Sequence, residues 1–170
     1  TLRASSAPGD NIRPRGQDFA EGVSLPVPRR LSANDLALLA AMNIAELTVS
    51  RRPTVALMAT GDELVMPGEA PGPDQIVASN IFALAAMVEA AGGTPRILPI
   101  ARDNEDSLRT VFGLAEGADM VVTVGGASVG DHDLVGKVAG DLGLERAFWK
   151  IAMRPGKPLM AGRLGGAVML

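Results

Sequence analysis

The stretch from Thr54 to the last residue alternates short apolar runs of strand-forming residues with longer segments of helical character. The apolar runs occupy residues 55–58, 96–100, 120–124 and 147–152, and the helical segments occupy residues 80–91, 104–116 and 134–142. Near-continuous apolar strands separated by helices are typical of a mostly parallel sheet that is covered on both faces. The pattern therefore predicts a three-layer α/β domain with helices on both faces of the sheet.

The first 52 residues differ in character, because they are rich in proline, glycine and arginine. Their prolines exclude a long helix near the start and favour extended segments, so we expect a small β-rich or linker remnant there. Ser32 followed by Asp35 is a helix-start signal, which adds one helix to this region. We predict a domain boundary at Pro53, with the α/β domain covering residues 53–170.

Composition excludes several classes of function. The sequence has no cysteine, which excludes disulfides, thiolate metal sites and cysteine nucleophiles, and its single histidine, His132, cannot make a multi-histidine zinc site within one chain. A net charge of −3 argues against nucleic-acid binding. No apolar run approaches the roughly 20 residues of a membrane-spanning helix, so we expect no membrane contact and a cytoplasmic location.

Three polar segments follow the ends of predicted strands. TGDEL at 60–64 follows the first strand, GGASVG at 125–130 the third, and MRPGKP at 153–158 the fourth. Ligands bind beyond the carboxyl ends of the strands in open α/β sheets. We therefore expect the three segments to meet in one site.

The glycine-rich segment joins an apolar strand to a helix and exposes backbone N–H groups, which favour an anion such as phosphate. Its predicted ligand contacts are Gly125, Gly126, Ser128 and Gly130. Asp131 and Asp133 follow at a place where a divalent cation could bridge protein and phosphate. The alternatives are a structural turn for the glycines and helix capping for the two acids.

The first strand leads into a second set of candidate contacts, Thr60, Gly61, Asp62 and Glu63. The two acids could be ordinary surface residues, but their place at the sheet edge favours a ligand role. Thr60 could donate a hydrogen bond to phosphate or sugar. Ser79 and Asn80 have the character of a helix cap, which is compatible with contact to a nucleotide.

The third set supplies positive charge and consists of Arg154, Pro155, Gly156 and Lys157. Prolines on both sides of the Gly-Lys pair hold the backbone extended and limit the directions that the lysine can take. A basic surface turn is the alternative, but a site for phosphates and oxyanions needs cations at this edge.

Together these segments closely resemble the molybdopterin molybdenumtransferase family, that is, the MoeA proteins and the matching domain of gephyrin. The resemblance also includes IRPRGQDF at 12–19, SANDLALLAAMNI at 32–44, SN at 79–80 and FWKIAMRPGKPLMAG at 148–162. It implies a Mg²⁺-dependent insertion of molybdate into adenylylated molybdopterin with release of AMP. It also implies roles in the reaction for Asp133, Lys157 and Glu63, and a magnesium site made by Asp133, Asp131 and Glu63. Asp18 matches a family acid of the neighbouring domain.

The resemblance further implies a homodimer in the full-length protein and contact with the adenylyltransferase of the same pathway. Members of the family have a large N-terminal region and a further loop beyond the segment that ends here, so we expect this chain to be a fragment of low activity. Three alternatives stay open on the same fold: the adenylyltransferase reaction, a competence-damage-type nucleotide-binding protein, and a gephyrin-like binding scaffold. RPGKP and IRPRGQDF favour molybdenum insertion.

Overall fold

The computed structural model describes residues 7–26, 29–125 and 133–170. The chain forms two compact units, residues 1–49 and residues 50–170. This division lies three residues before the predicted boundary. Within the described ranges, no helix is both long and apolar enough to cross a membrane.

The first unit has one helix in its described part, α1 (Ala33–Ala41). Ser32 Oγ accepts a hydrogen bond from the Asp35 N–H at 3.2 Å, and Asp35 Oδ2 accepts one from the Ser32 N–H at 2.8 Å. This reciprocal capping box stabilises the start of the helix, as the sequence predicts. The β-rich character expected here is not found, because residues 7–26 and 29–49 contain no strand. Local turns use the backbone donors instead, as between Gln17 N and Pro14 O.

The second unit contains eight strands and three helices in its described part. The strands are β1 (Thr54–Ala59), β2 (Leu64–Val65), β3 (Ile76–Val77), β4 (Thr94–Ile97), β5 (Met120–Val124), β6 (Glu145–Trp149), β7 (Met160–Leu164) and β8 (Ala167–Met169). The helices are α2 (Asn80–Ala90), α3 (Glu105–Leu114) and α4 (Leu134–Asp141).

Six of these strands form one sheet in the order β4-β1-β5-β8-β7-β6, and β2 and β3 form a separate parallel pair. β1 is parallel to β4 and β5, and β5 is parallel to β8. β7 is antiparallel to both β8 and β6, so five of the six strands run in the same direction. This arrangement confirms the prediction of a mostly parallel sheet.

The residues of β1 alternate between the two faces of the sheet. Val55, Leu57 and Ala59 face a cluster that includes Ile81 of α2. Ala56 and Met58 face the opposite cluster, to which α3 and α4 contribute several buried side chains: Leu108, Val111, Phe112, Val135, Val138 and Ala139. The sheet is therefore covered by helices on both faces, which confirms the three-layer prediction. Burial of each large apolar side chain contributes about 1.5–3 kcal/mol to stability.

An ion pair fixes the sheet at the end where β1 and β5 begin. The Arg51 guanidinium donates two hydrogen bonds to the Asp119 carboxylate, and the Thr54 N–H donates a third to Asp119 Oδ2 at 2.7 Å. The Arg51 hydrogen bond, with that of Thr54, lowers the pKa of Asp119. This contact aligns the starts of the two central strands, at the opposite end of the sheet from the predicted site.

Candidate functional site

The central strands β1 and β5 end level with each other, because Ala59 lies opposite Val124. The next residue, Thr60, continues this pairing by donating its N–H to Val124 O at 2.9 Å. β6 ends and β7 begins at the same edge of the sheet, so the connecting hairpin loop, residues 150–159, also lies there. The described parts of all three predicted segments therefore lie at one edge.

The backbones of the first two segments approach each other most closely at Gly125. Gly125 has a φ of +101°, a backbone conformation that residues with a side chain rarely adopt. A Cβ atom at Gly125 would overlap the carbonyl oxygen of Thr60 and lie 3.1 Å from its Oγ1. Glycine is therefore required at the end of β5 by both backbone conformation and space.

Gly125 and Val124 form a wall shared by two cavities. The first, which we call the hairpin cavity, has a volume of about 360 Å³ and is bounded by β5, the start of α4 and the hairpin loop. Its lining includes Gly125, Asp133, Val135, Met153, Gly156 and Pro158. The second, which we call the turn cavity, has a volume of about 250 Å³. Its lining includes Thr60, Glu63, Ile76, Ser79, Asn80 and Gly125.

Among the described residues, Asp133 is the acid that lines the hairpin cavity. It is the N-cap of α4, and its Oδ1 accepts a hydrogen bond from the Gly136 N–H at 2.8 Å. A Cβ atom at Gly136 would lie 2.5 Å from Asp133 Oδ2, so the small residue leaves room for the carboxylate. The capping role considered for this acid is present, and it also places the carboxylate at the cavity wall.

Two ion pairs hold α4 against α3. Lys137 pairs with Glu105, and Arg109 pairs with Asp141 at 2.5 Å. The hydrogen bond between Lys137 and Glu105 lowers the pKa of the carboxyl group and raises that of the ammonium group. These contacts fix the helix whose first turn carries Asp133.

Glu63 is the acid of the turn cavity, and it belongs to a tight turn that starts at Gly61. Gly61 is buried and has a φ of +144°. The Glu63 carboxylate folds back over it, since a Cβ atom at Gly61 would lie only 2.7 Å from the carboxyl carbon of Glu63. Glu63 O also accepts a hydrogen bond from the Ile76 N–H at 2.8 Å, which connects the turn to β3.

Asp62 points to the other side of this turn. Its Oδ1 accepts a hydrogen bond from the Asp103 N–H at 3.1 Å, and its own N–H donates to Asp103 Oδ2 at 3.4 Å. Asp62 lines neither cavity. The structure therefore brings Glu63 to a cavity and leaves Asp62 in contact with the loop that follows β4.

Arg102, which lies in that loop, is not among the residues predicted for the site. Its Nη1 donates to the carbonyl oxygens of Gly61 at 3.4 Å, Asp62 at 3.2 Å and Leu64 at 3.0 Å. A signal was present, because Arg102 is the first charged residue after the predicted apolar run 96–100, which overlaps the end of β4. Charged residues that follow such runs lie at the ligand-binding edge of the sheet.

The predicted cations lie on the hairpin loop. Arg154, Pro155 and Lys157 are exposed and line neither cavity, whereas Gly156 and Pro158 line the hairpin cavity. The Lys157 carbonyl accepts a hydrogen bond from the Ile151 N–H at 3.0 Å. The two cations therefore lie beside the hairpin cavity rather than within it.

Gly126, Ser128, Gly130, Asp131 and His132 lie outside the described residues. Among residues 7–26, 29–125 and 133–170, no three acids, histidines or cysteines are grouped as a metal site would require. Thr60 is 1% exposed, and its Oγ1 has no hydrogen-bond partner within these ranges. A buried hydroxyl without a partner is costly, which makes this atom a candidate contact for a ligand.

Residues 56–169 match the family described as "Probable molybdopterin binding domain". A molybdopterin molybdenumtransferase of Nostoc is 40% identical over 154 residues, which cover 89% of this chain and 35% of that protein. One from Haemophilus influenzae is 38% identical over 162 residues, covering 94% of this chain and 40% of that protein. The chain thus spans well under half the length of these relatives.

Solved structures agree with the sequence relatives. A molybdopterin biosynthesis MoeA protein from Pyrococcus horikoshii is 36% identical, with a TM-score of 0.72 over 83% of this chain and 35% of the other. A molybdenum cofactor biosynthesis protein B is 14% identical, with a TM-score of 0.51 over 72% of this chain and 80% of the other. The second likeness shows only that the fold is shared.

Proposed function

Because the chain belongs to the family of probable molybdopterin binding domains, we propose that it binds a molybdopterin nucleotide where its two cavities meet. The observation that carries this proposal is the meeting of both cavities at Gly125, which lies within the matched residues. A ligand with two bulky ends joined by phosphates fits two cavities separated by a narrow backbone wall. Adenylylated molybdopterin has this form.

We further propose that the whole protein is a transferase of molybdenum cofactor biosynthesis, which inserts molybdate into adenylylated molybdopterin and releases AMP. The relatives that carry the name molybdopterin molybdenumtransferase support this reaction. RPGKP at 154–158 and IRPRGQDF at 12–19 also fit this branch of the fold better. The reaction is therefore favoured over the adenylyltransferase alternative on the same fold.

In this proposal the chain positions charged groups and supplies no nucleophile of its own. Arg154 and Lys157 beside the hairpin cavity hold oxygens of molybdate or of the phosphates, the arginine as a fork of donors and the lysine as a point charge. Thr60 Oγ1 donates to an oxygen of the ligand from the wall of the turn cavity. Such fixed donors stabilise charge that develops when the phosphate bond breaks.

Magnesium would bind together with the ligand. Mg²⁺ commonly uses one or two carboxylates together with substrate phosphates and water, rather than an all-protein cage. Glu63 and Asp133 suit this mode, because each lines one of the two adjoining cavities. When bound, the ion would neutralise phosphate charge and favour departure of AMP.

Titration calorimetry with ADP, with and without Mg²⁺, tests the binding proposal on the 170-residue chain. ADP stands in for the nucleotide end of the substrate. We expect magnesium-dependent binding that weakens about tenfold or more in Lys157→Ala, because a charged hydrogen bond contributes about 1.5–3 kcal/mol. Glu63→Gln should remove most of the magnesium dependence.

Glu116→Gln is the matched control for the acid, because Glu116 follows α3 at the opposite end of the sheet and should not affect binding. Circular dichroism establishes that each variant is folded. A folded chain that does not bind ADP, or binding that Glu63→Gln and Glu116→Gln change equally, would contradict the proposal.

We also propose, from the resemblance, that the active assembly is a cytoplasmic homodimer that receives its substrate from the adenylyltransferase of the pathway. Light scattering of the full-length protein tests the dimer. Pull-down with the purified adenylyltransferase tests the transfer contact, and a monomeric protein with full activity would contradict the dimer.

A further inference from the structure

Arg102 makes a contact that the proposed reaction does not by itself require. Its guanidinium lies beneath the turn of residues 61–64 and donates to three carbonyl oxygens of that turn. Carbonyl oxygens that converge on one point repel each other, because each carries partial negative charge. A cationic donor placed between them removes this repulsion, and hydrogen bonds from charged donors are stronger than neutral ones.

Arg102 is itself held in place by the loop before α3. The backbone N–H of Arg102 donates to Ser107 Oγ at 2.9 Å. The backbone N–H of Ser107 in turn donates to Asn104 Oδ1 at 2.9 Å, and this hydrogen bond caps α3. The neighbouring Asp103 exchanges hydrogen bonds with Asp62, as described above. The turn is thus fastened to a rigid helix start, which limits the positions that Glu63 can take.

We propose that Arg102 is a positioning residue for Glu63: it fixes the turn of residues 61–64 so that the Glu63 carboxylate lies in the turn cavity. The proposal rests on the proposed function, because it assigns Glu63 to the binding of a nucleotide with Mg²⁺. Arg102 lines neither cavity, so it acts through the turn and not by touching the ligand.

The matched control is Arg96. Its Nη2 donates to two backbone carbonyl oxygens, those of Ala115 and Glu116, both at 2.9 Å. These carbonyls end α3 at the opposite end of the sheet. Arg96→Ala therefore removes an arginine that binds backbone carbonyls, as Arg102→Ala does, but far from Glu63. Arg102→Lys tests whether a cation of different shape restores the effect.

Two measurements on the 170-residue chain test the proposal. The first is calorimetry with ADP and Mg²⁺, in which Arg102→Ala should weaken binding by about 10–100-fold, the usual effect of removing a group that orients a ligating residue. Arg102→Lys should recover part of the affinity, and Arg96→Ala should retain it. The second is hydrogen exchange of the ligand-free chain, in which Arg102→Ala should speed exchange at Leu64 and Ile76 more than Arg96→Ala does.

The outcomes separate this proposal from the proposed function. If the original chain binds ADP and Arg102→Ala binds it equally well, or if Arg96→Ala weakens binding as much, Arg102 is not a positioning residue. If the original chain does not bind ADP, the proposed function fails, and hydrogen exchange alone tests whether Arg102 fixes the turn. Unchanged exchange at Leu64 and Ile76 in Arg102→Ala would then overturn this role, and faster exchange would support it.

Discussion

Replacing Gly125 with alanine tests the packing at the centre of the candidate site. The new methyl group would overlap the carbonyl oxygen of Thr60 and lie 3.3 Å from its carbonyl carbon. Both are backbone atoms of Thr60, which directly follows β1, whereas Gly125 directly follows β5. They cannot rotate away as a flexible side chain could, so the strand ends must separate.

Three costs contribute to the expected loss of stability. The positive φ of Gly125 costs an alanine about 1–2 kcal/mol. Overpacking a closely packed site costs about 1–3 kcal/mol more. Separation of the strand ends also weakens the hydrogen bond from Thr60 N to Val124 O, which contributes about 1 kcal/mol. We expect a total of roughly 3–6 kcal/mol, or a fall in Tm of roughly 12–24 °C for a domain of this size.

Gly117→Ala is the control that isolates the backbone term. Gly117 also has a positive φ, of +75°, but a Cβ atom there would meet nothing within 4 Å. We expect it to lower Tm by only about 4–8 °C, because only the backbone cost of about 1–2 kcal/mol applies. Thermal unfolding followed by circular dichroism measures both variants. Equal falls in Tm for the two would refute the reasoning, since the close approach to Thr60 would then have no energetic consequence.

Three further predictions concern the stability of the fold. Leu108→Ala removes a fully buried side chain and should lower the free energy of unfolding, measured by chemical denaturation, by about 2–5 kcal/mol. Leu114→Ala, at a half-exposed position, should lower it by well under that amount, and similar losses for the two variants would contradict the assigned core. Asn104→Ala removes the side chain that caps α3 and should lower the free energy of unfolding by about 1 kcal/mol in the same assay. Ser79→Ala should lower it little, because the Ser79 side chain makes no capping hydrogen bond at the start of α2. The folded state holds the pKa of Asp119 below its unfolded value, so this group stabilises the fold above about pH 4 and the contribution is lost as pH falls through the lower folded pKa. Asp119→Asn should therefore flatten the decrease in Tm on acidification, and an unchanged pH profile would contradict the ion pair.

The sequence predicts the central part of the fold well, because buried parallel strands are almost continuously apolar. The strand at 120–124 is found with the bounds predicted for it, and α2, α3 and α4 begin or end within two residues of their predicted bounds. The class of the fold follows from this alternation alone.

The remaining elements depend on tertiary contacts that local patterns do not encode. β7 contains Gly162, where a Cβ atom would lie 2.6 Å from the Glu145 carbonyl oxygen, so this strand has a glycine where the apolar pattern expects a larger residue. The strand predicted at 147–152 ends at Trp149, because Lys150 adopts a φ of +68° at the start of the hairpin loop. β2 and β3 have two residues each, too few for a periodic signal.

The meeting of the described segments at one sheet edge could be predicted, but the division of this candidate site into two cavities could not. Strand ends of a parallel sheet share an edge, which is sufficient to bring Thr60, Gly125 and the hairpin loop together. The separation into two cavities depends on the close approach of Gly125 to Thr60. The contact of Arg102 with three carbonyls depends on the folding of the turn, and no spacing rule in the sequence describes it.

Amide chemical shifts of the isotope-labelled chain during titration with ADP and Mg²⁺ test the central claim most directly. If the nucleotide binds at the edge where the two cavities meet, the largest shifts should occur at Thr60, Gly125 and Asp133. The amides of Arg51 and Asp119, at the opposite end of the sheet, should not change. Shifts concentrated at those two residues, or none anywhere at saturating ADP, would contradict the claim.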